Sequence, residues 1–126
     1  MKLRIKDDSI RMRLTQSEIQ QLDASGKVTA RINFSSIHHL NYSLIKNNTI
    51  NWIEANYKSN SVEINLPANL AQTWISTDQV GLEHQQDLGN GKHLQILVEK
   101  DFHCLIKRPN EDESDHFPNP LAASGS

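Results

Sequence analysis

The chain has 126 residues, the length of one domain. Apolar residues make up 37% and charged residues 22%, which suits one modest core and argues against a disordered chain. A net charge of −2 excludes a global basic field for nucleic acid, and a single cysteine excludes an internal disulfide or a cysteine zinc cage.

The N-terminal stretch MKLRIKDDSIRMRL alternates charged and apolar residues on both sides of Asp7-Asp8. Period two around a polar turn predicts a β-hairpin with one buried face. Thr15 follows as an N-cap, with Glu18 at the capping-box spacing and Leu14 and Ile19 at the staple positions. The helix so begun is predicted to stop at Gly26. Val28, Ala30, Ile32 and Phe34 then share one strand face, and Leu40, Tyr42 and Leu44 suggest the next strand. Asn47-Asn48 is a turn signal, Ile50 to Tyr57 reads as a less regular strand, and Val62, Ile64 and Leu66 form a clear one. Pro67 suits a helix start, with Leu70, Ala71, Trp74 and Ile75 on one helical face. A final hairpin turns at Gly89-Asn90-Gly91. A three-residue loop there, the preferred reading, sets Leu82 opposite Val98 and His84 opposite Ile96, whereas a two-residue Asn-Gly loop would set Leu82 opposite Glu99. The last strand is predicted to run from His93 to Lys107.

The predicted order is β-β-α-β-β-β-β-α-β-β. Short connections favour antiparallel neighbours, and two short helices cannot cover both faces of a sheet. The expected fold is α+β, a curved and mainly antiparallel sheet of about eight strands or a partly open barrel. No internal repeat is visible. Residues 1–109 are expected to form the domain, and 110–126 an acidic, proline-containing tail.

Two constellations carry chemistry. With Leu3, Ile5, Ile10, Met12 and Leu14 facing the core, Lys2, Arg4, Lys6, Arg11 and Arg13 share the opposite face. Cations crowded on adjacent strands repel unless an anion answers them, and the arginine fork suits phosphate or carboxylate. Arg4, Arg11 and Arg13 are therefore the expected anion site, or else partners of the protein's own acids. The second constellation is EKDFHCLIKRPNEDESDHFPNP, where Glu99, Asp101 and His103 share a strand face and Glu111, Asp112 and Asp115 follow. Such an oxygen-rich set, folded back on itself, would suit a divalent cation. The order of residues is not that of a calcium-binding EF-hand.

Lys100 breaks the apolar alternation between Val98 and Phe102. Either a bulge resets the strand, the preferred reading, or Lys100 sits in a partly buried polar site. Cys104 is expected to be buried and inert, since His103 points the other way. His38 and His39 diverge along a strand, and the segment around Gly91-Lys92 lacks the glycine and hydroxyl of a P-loop. Phe117 is a candidate anchor for the tail, which is expected to lie across the basic hairpin or in a partner's groove.

MKLRIKDDSIRMRLTQSEI, NLAQTWISTDQVGLE and ILVEKDFHCLIKRPNEDESDHFPNP together resemble a small family of uncharacterised bacterial proteins, a domain of unknown function. The resemblance reaches Pro120 and leaves LAASGS outside it. It implies a bacterial single-domain protein and transfers no catalytic role. The N-terminus has no apolar signal region, and no stretch approaches the roughly 18 apolar residues of a membrane span. A cytoplasmic protein is expected, so the Asn-x-Ser/Thr triplets at Asn33, Asn41 and Asn47 would carry no glycan. The leading expectation is a binding module without catalysis or cofactor, a monomer or dimer that takes a protein or an anionic ligand, with nucleic acid disfavoured. The alternative is a divalent-metal-dependent phosphate-handling enzyme, with Glu99, Asp101 and Glu111 or Asp112 holding the cation.

Overall fold

The first and last hairpins form where the sequence predicts them. A computed structural model describes residues 1–102, Asp115 and Phe117. The elements are β1 (Lys2–Lys6), β2 (Ser9–Leu14), α1 (Gln16–Ser25), β3 (Lys27–Asn33), β4 (His39–Asn47), β5 (Glu54–Lys58), β6 (Ser61–Pro67), α2 (Ala68–Ser76), β7 (Gly81–Gly89) and β8 (Lys92–Lys100). The order is the expected one and the class is α+β.

The strands divide between two four-stranded sheets, ordered β1-β2-β8-β7 and β3-β4-β6-β5, and neither closes into a barrel among the described residues. Hairpin partners are antiparallel, but β2 runs parallel to β8 and β4 parallel to β6. The physical reason lies in which strands are apolar. β2, β4, β6 and β8 carry Ile10, Met12, Leu14, Leu44, Ile64, Leu66, Ile96 and Val98, all buried. These strands take the sheet centres, where both flanks are paired. β1, β3, β5 and β7 are mostly exposed and take the edges. The inner faces of both sheets share one core with Leu22 of α1 and Trp74 of α2.

This arrangement is a structural repeat that the sequence reading missed. Residues before and after the β4–β5 connection each run hairpin, helix, hairpin, and each sheet takes one hairpin from each half. The signal was present in Ser9-Ile10-Arg11-Met12-Arg13-Leu14 and Ser61-Val62-Glu63-Ile64-Asn65-Leu66, which lead into α1 and α2 in the same way. Different polar residues at the outward positions concealed it.

Local chemistry sets the boundaries. The Glu18 carboxylate accepts from the Thr15 N–H at 3.0 Å, and Gly26 ends α1 at φ 79. β5 starts at Glu54 rather than Ile50. The Asn47 side chain accepts from the Thr49 N–H at 2.9 Å and turns the chain, and Ile53 drops into the core instead of extending a strand. At the last hairpin Asn90 and Gly91 make a two-residue turn at φ 53 and 73, and the register shifts between Asp87 and Gly89. This bulge gives Leu82 opposite Val98 and His84 opposite Ile96, as the three-residue loop would have done. β8 ends at Lys100. The predicted continuation does not hold at Asp101 and Phe102, which lie beyond the strand, and its remainder to Lys107, with Cys104, falls outside the described residues.

Lys100 is buried and has no bulge beside it, since it pairs in register with Leu14. The preferred reading of its anomaly is therefore overturned. Its Nζ donates to the Thr77 carbonyl at the end of α2, at 2.7 Å. Lys46 is its counterpart in the other sheet, with Nζ 3.5 Å from the Asp23 carbonyl near the end of α1. Neither helix has a basic residue in its own last turn. The sheet supplies the cation that the helix C-terminus favours.

We expect Lys100→Ala to cost about 2 kcal/mol in urea unfolding, the scale of a lost hydrogen bond to a charged group. Lys46→Ala, more exposed, should cost less than about 1 kcal/mol. Burial lowers the Lys100 pKa, and the Asp78 charge opposes that shift. The folded-state value thus lies below the unfolded one. The cost of burying the ammonium is full below the folded value and fades as pH rises towards the unfolded one. Wild-type stability relative to Lys100→Met should therefore rise through that window.

Candidate functional site

The outer face of the β1-β2-β8-β7 sheet gathers most of the predicted site residues. Its register sets Lys2 opposite Arg13, Arg4 opposite Arg11, and Lys6 opposite Ser9. β8 adds Glu99 beside Arg13, Leu97 beside Arg11, and Gln95 beside Ser9. The expected sharing of one face by Lys2, Arg4, Lys6, Arg11 and Arg13 follows directly from that register. The far side, on β7, carries Glu83, Gln85 and Asp87, so charge grades from basic to acidic across the sheet.

Glu99 binds this face from within. Its Oε1 accepts from Arg11 Nε and Nη2 and lies 4.0 Å from Arg13 Nε. The residue opposite Glu99 on β7 is Gly81, where a Cβ would stand 2.9 Å from Glu99 Cγ and 2.7 Å from the Val98 carbonyl. A glycine is needed there for the Glu99 side chain to keep its place. Lys2 Nζ lies 3.3 Å from Asp101 Oδ2. Among the described residues Arg4 and Lys6 have no ionic partner. Arg4 and Arg11 are like charges directly across the strand pair, a destabilising placement unless an anion lies between them.

The basic surface is not flat. A concavity of about 320 Å³ is lined by Lys2, Leu3, Arg4, Arg11 and Arg13. A second, of about 230 Å³, is lined by Arg4, Lys6, Ser9, Arg11, Gln95 and Leu97.

The acidic constellation is spread over several partners. Glu99 lies on the arginines. Asp101, with its side chain 6% exposed, donates its N–H to the Leu14 carbonyl at 2.8 Å, and its carbonyl accepts from Phe117 N–H at 2.7 Å. Asp115 sits at the start of α1. Its carbonyl accepts from Gln16 N–H at 3.0 Å, and its carboxylate accepts from the Ser17 N–H at 3.2 Å and from the Ser17 hydroxyl. These bonds occupy donors that the first turn of a helix leaves open. His103, Glu111 and Asp112 lie outside the described residues. Among those described, no group of three or more His, Cys, Asp or Glu side chains is gathered for a metal ion.

Phe117 packs against Phe102, ring centroids 5.7 Å apart, and lies 5.6 Å from Lys100 Nζ. Asp115 thus docks on α1 and Phe117 at the end of β8, at contacts distinct from the basic hairpin. A further cleft of about 510 Å³ was not foreseen. It opens where the edge strands β5 and β7 of the two sheets meet, and Trp52, Glu54, His84 and Asp87 are among its lining residues. Beside it the Gln86 amide accepts from the Ala55 N–H at 2.7 Å and donates to its carbonyl at 3.1 Å, standing in for a strand residue. Sequence patterning gives no sign of this seam, because the two edges meet only through tertiary packing.

Fold and site define the class: a two-sheet α+β protein with a cationic outer face partly neutralised by its own glutamate. The model of a family of unknown function, DUF7009, matches residues 1–121, and the chain belongs to that family. No curated protein and no solved structure matches it. No helix among the described residues is long and apolar enough to cross a membrane.

The contacts of Asp115 and Phe117 are expected to stabilise the domain. Phe117→Ala should lower unfolding stability by about 1–2 kcal/mol, since an aromatic pair adds about 0.5–1.5 kcal/mol to its area burial. Asp115→Ala should cost about 1 kcal/mol, as loss of a helix cap does, and Asp115→Asn should recover most of it. Urea titration of the three variants checks both.

Proposed function

We propose that this protein is a binding module without catalysis, whose β1–β2 face takes an anionic ligand or the anionic surface of a partner. The observation that carries the reading is Arg4, opposite Arg11 and beside Lys6, with neither Arg4 nor Lys6 in an ion pair among the described residues. Glu99 holds Arg11 and leaves a local surplus of positive charge on a protein whose net charge is −2. Arg4, Arg11 and Arg13 are the anion-contacting residues in this reading, with Lys6 added. Arginine forks held by a neighbouring carboxylate lose less freedom on binding than free ones do. The reading puts the module in a bacterial cytoplasm, where an unpaired cysteine is the usual state.

A heparin hexasaccharide, titrated calorimetrically at low and at physiological salt, tests the face as an anion site. We expect binding that weakens with salt. The double variant Arg4→Ala/Lys6→Ala, both exposed residues, should bind at least about tenfold more weakly, which is about 1.4 kcal/mol. Its unfolding midpoint should not fall, and relief of the Arg4–Arg11 repulsion should raise it slightly. Unaltered affinity in that variant would refute the reading.

A further inference from the structure

We infer that the basic face is shaped for a chain of linked phosphate groups rather than for a single anion, a conclusion that rests on the anion-site reading above. The two concavities adjoin, and Arg4 and Arg11 line both of them. Lys2 and Arg13 stand at the outer end of the first, and Lys6 lies in the second. The strand register makes this a ladder of rows, Lys2 with Arg13, Arg4 with Arg11, and Lys6 with Ser9. Successive rows are separated by two residues, about 7 Å along a strand.

A single phosphate fills one gap in that ladder and leaves the other with no more than the charge that Glu99 and Asp101 already supply. A linear chain of phosphates lies across the Arg4–Arg11 row and occupies both gaps. The two central guanidiniums then have oxygens on either side, and their like-charge repulsion is relieved. Occupying two linked subsites multiplies affinity without any further contact, because the second phosphate is held at high effective concentration.

The same face disfavours a nucleic-acid strand. Proteins that hold single strands without sequence preference stack bases on aromatic side chains. The outward residues here are Lys2, Arg4, Lys6, Ser9, Arg11 and Arg13 on β1 and β2, with Gln95, Leu97 and Glu99 on β8, and none is aromatic. A base-free polyanion fits this chemistry, and a condensed phosphate is the simplest one.

Calorimetry of the full chain with orthophosphate, tripolyphosphate, citrate and an oligothymidylate decides the matter. We expect tripolyphosphate to bind at least tenfold more tightly than orthophosphate or citrate, and more tightly than the oligothymidylate at the same ionic strength. Lys6→Ala should weaken tripolyphosphate several-fold and change orthophosphate less than twofold, because the Lys2-side gap remains. Arg4→Ala should weaken both. Equal affinities for orthophosphate and tripolyphosphate would overturn the two-subsite inference and leave the anion face standing. Heparin binding without binding of either phosphate would overturn the choice of phosphate. Tighter binding of the oligothymidylate would overturn it in favour of nucleic acid. Failure of the heparin probe as well would remove the anion-site reading itself.

Discussion

Everything in this fold depends on where the most apolar strands can be hidden. In each of the four hairpins the second strand is the one that carries fully buried residues, and the first is largely exposed. A hairpin pairs only one flank of that second strand. The other flank must be covered by an equally apolar strand, and the structure answers by joining second strands to one another, β2 to β8 and β4 to β6. Since each join crosses from one half of the chain to the other, neither half holds a complete sheet. The two halves share a core and have to form it together.

The charge pattern follows from that ordering. Placing β1 at an edge leaves the outer flank of Lys2, Arg4 and Lys6 open to solvent. Placing β8 beside β2 brings Glu99 to Arg11. One side of the cationic face is thus anchored from within, and the other is left available. A sheet in which β2 met its neighbours only through hairpins would have neither the anchor nor the asymmetry.

The central strands also manage the helix ends. Leu14 and Leu66 lead into α1 and α2, and Lys100 and Lys46 return beside those residues to meet the carbonyls where the helices finish. Asp115 closes the start of α1, while Phe117 covers the region around Lys100 and Phe102. An acidic segment that looks like a solvated tail is, at these two residues, part of the packing.

The sequence by itself determined the first and last hairpins, the two helices, the capping box and glycine stop of α1, and the common face of Arg4, Arg11 and Arg13. Each of these follows from local periodicity or from turn and cap chemistry within a few residues. It did not reveal that Lys100 caps a helix, because the carbonyl it meets is at Thr77 on another element. Nor did it show that Glu99 answers Arg11, a pair separated by most of the chain. The repeat was legible in the matched apolar positions of Ser9–Leu14 and Ser61–Leu66 but hidden by their outward residues. Only the tertiary structure decided that there are two sheets rather than one. Strand alternation says which side of a strand is buried, and pairing between distant strands says what covers it.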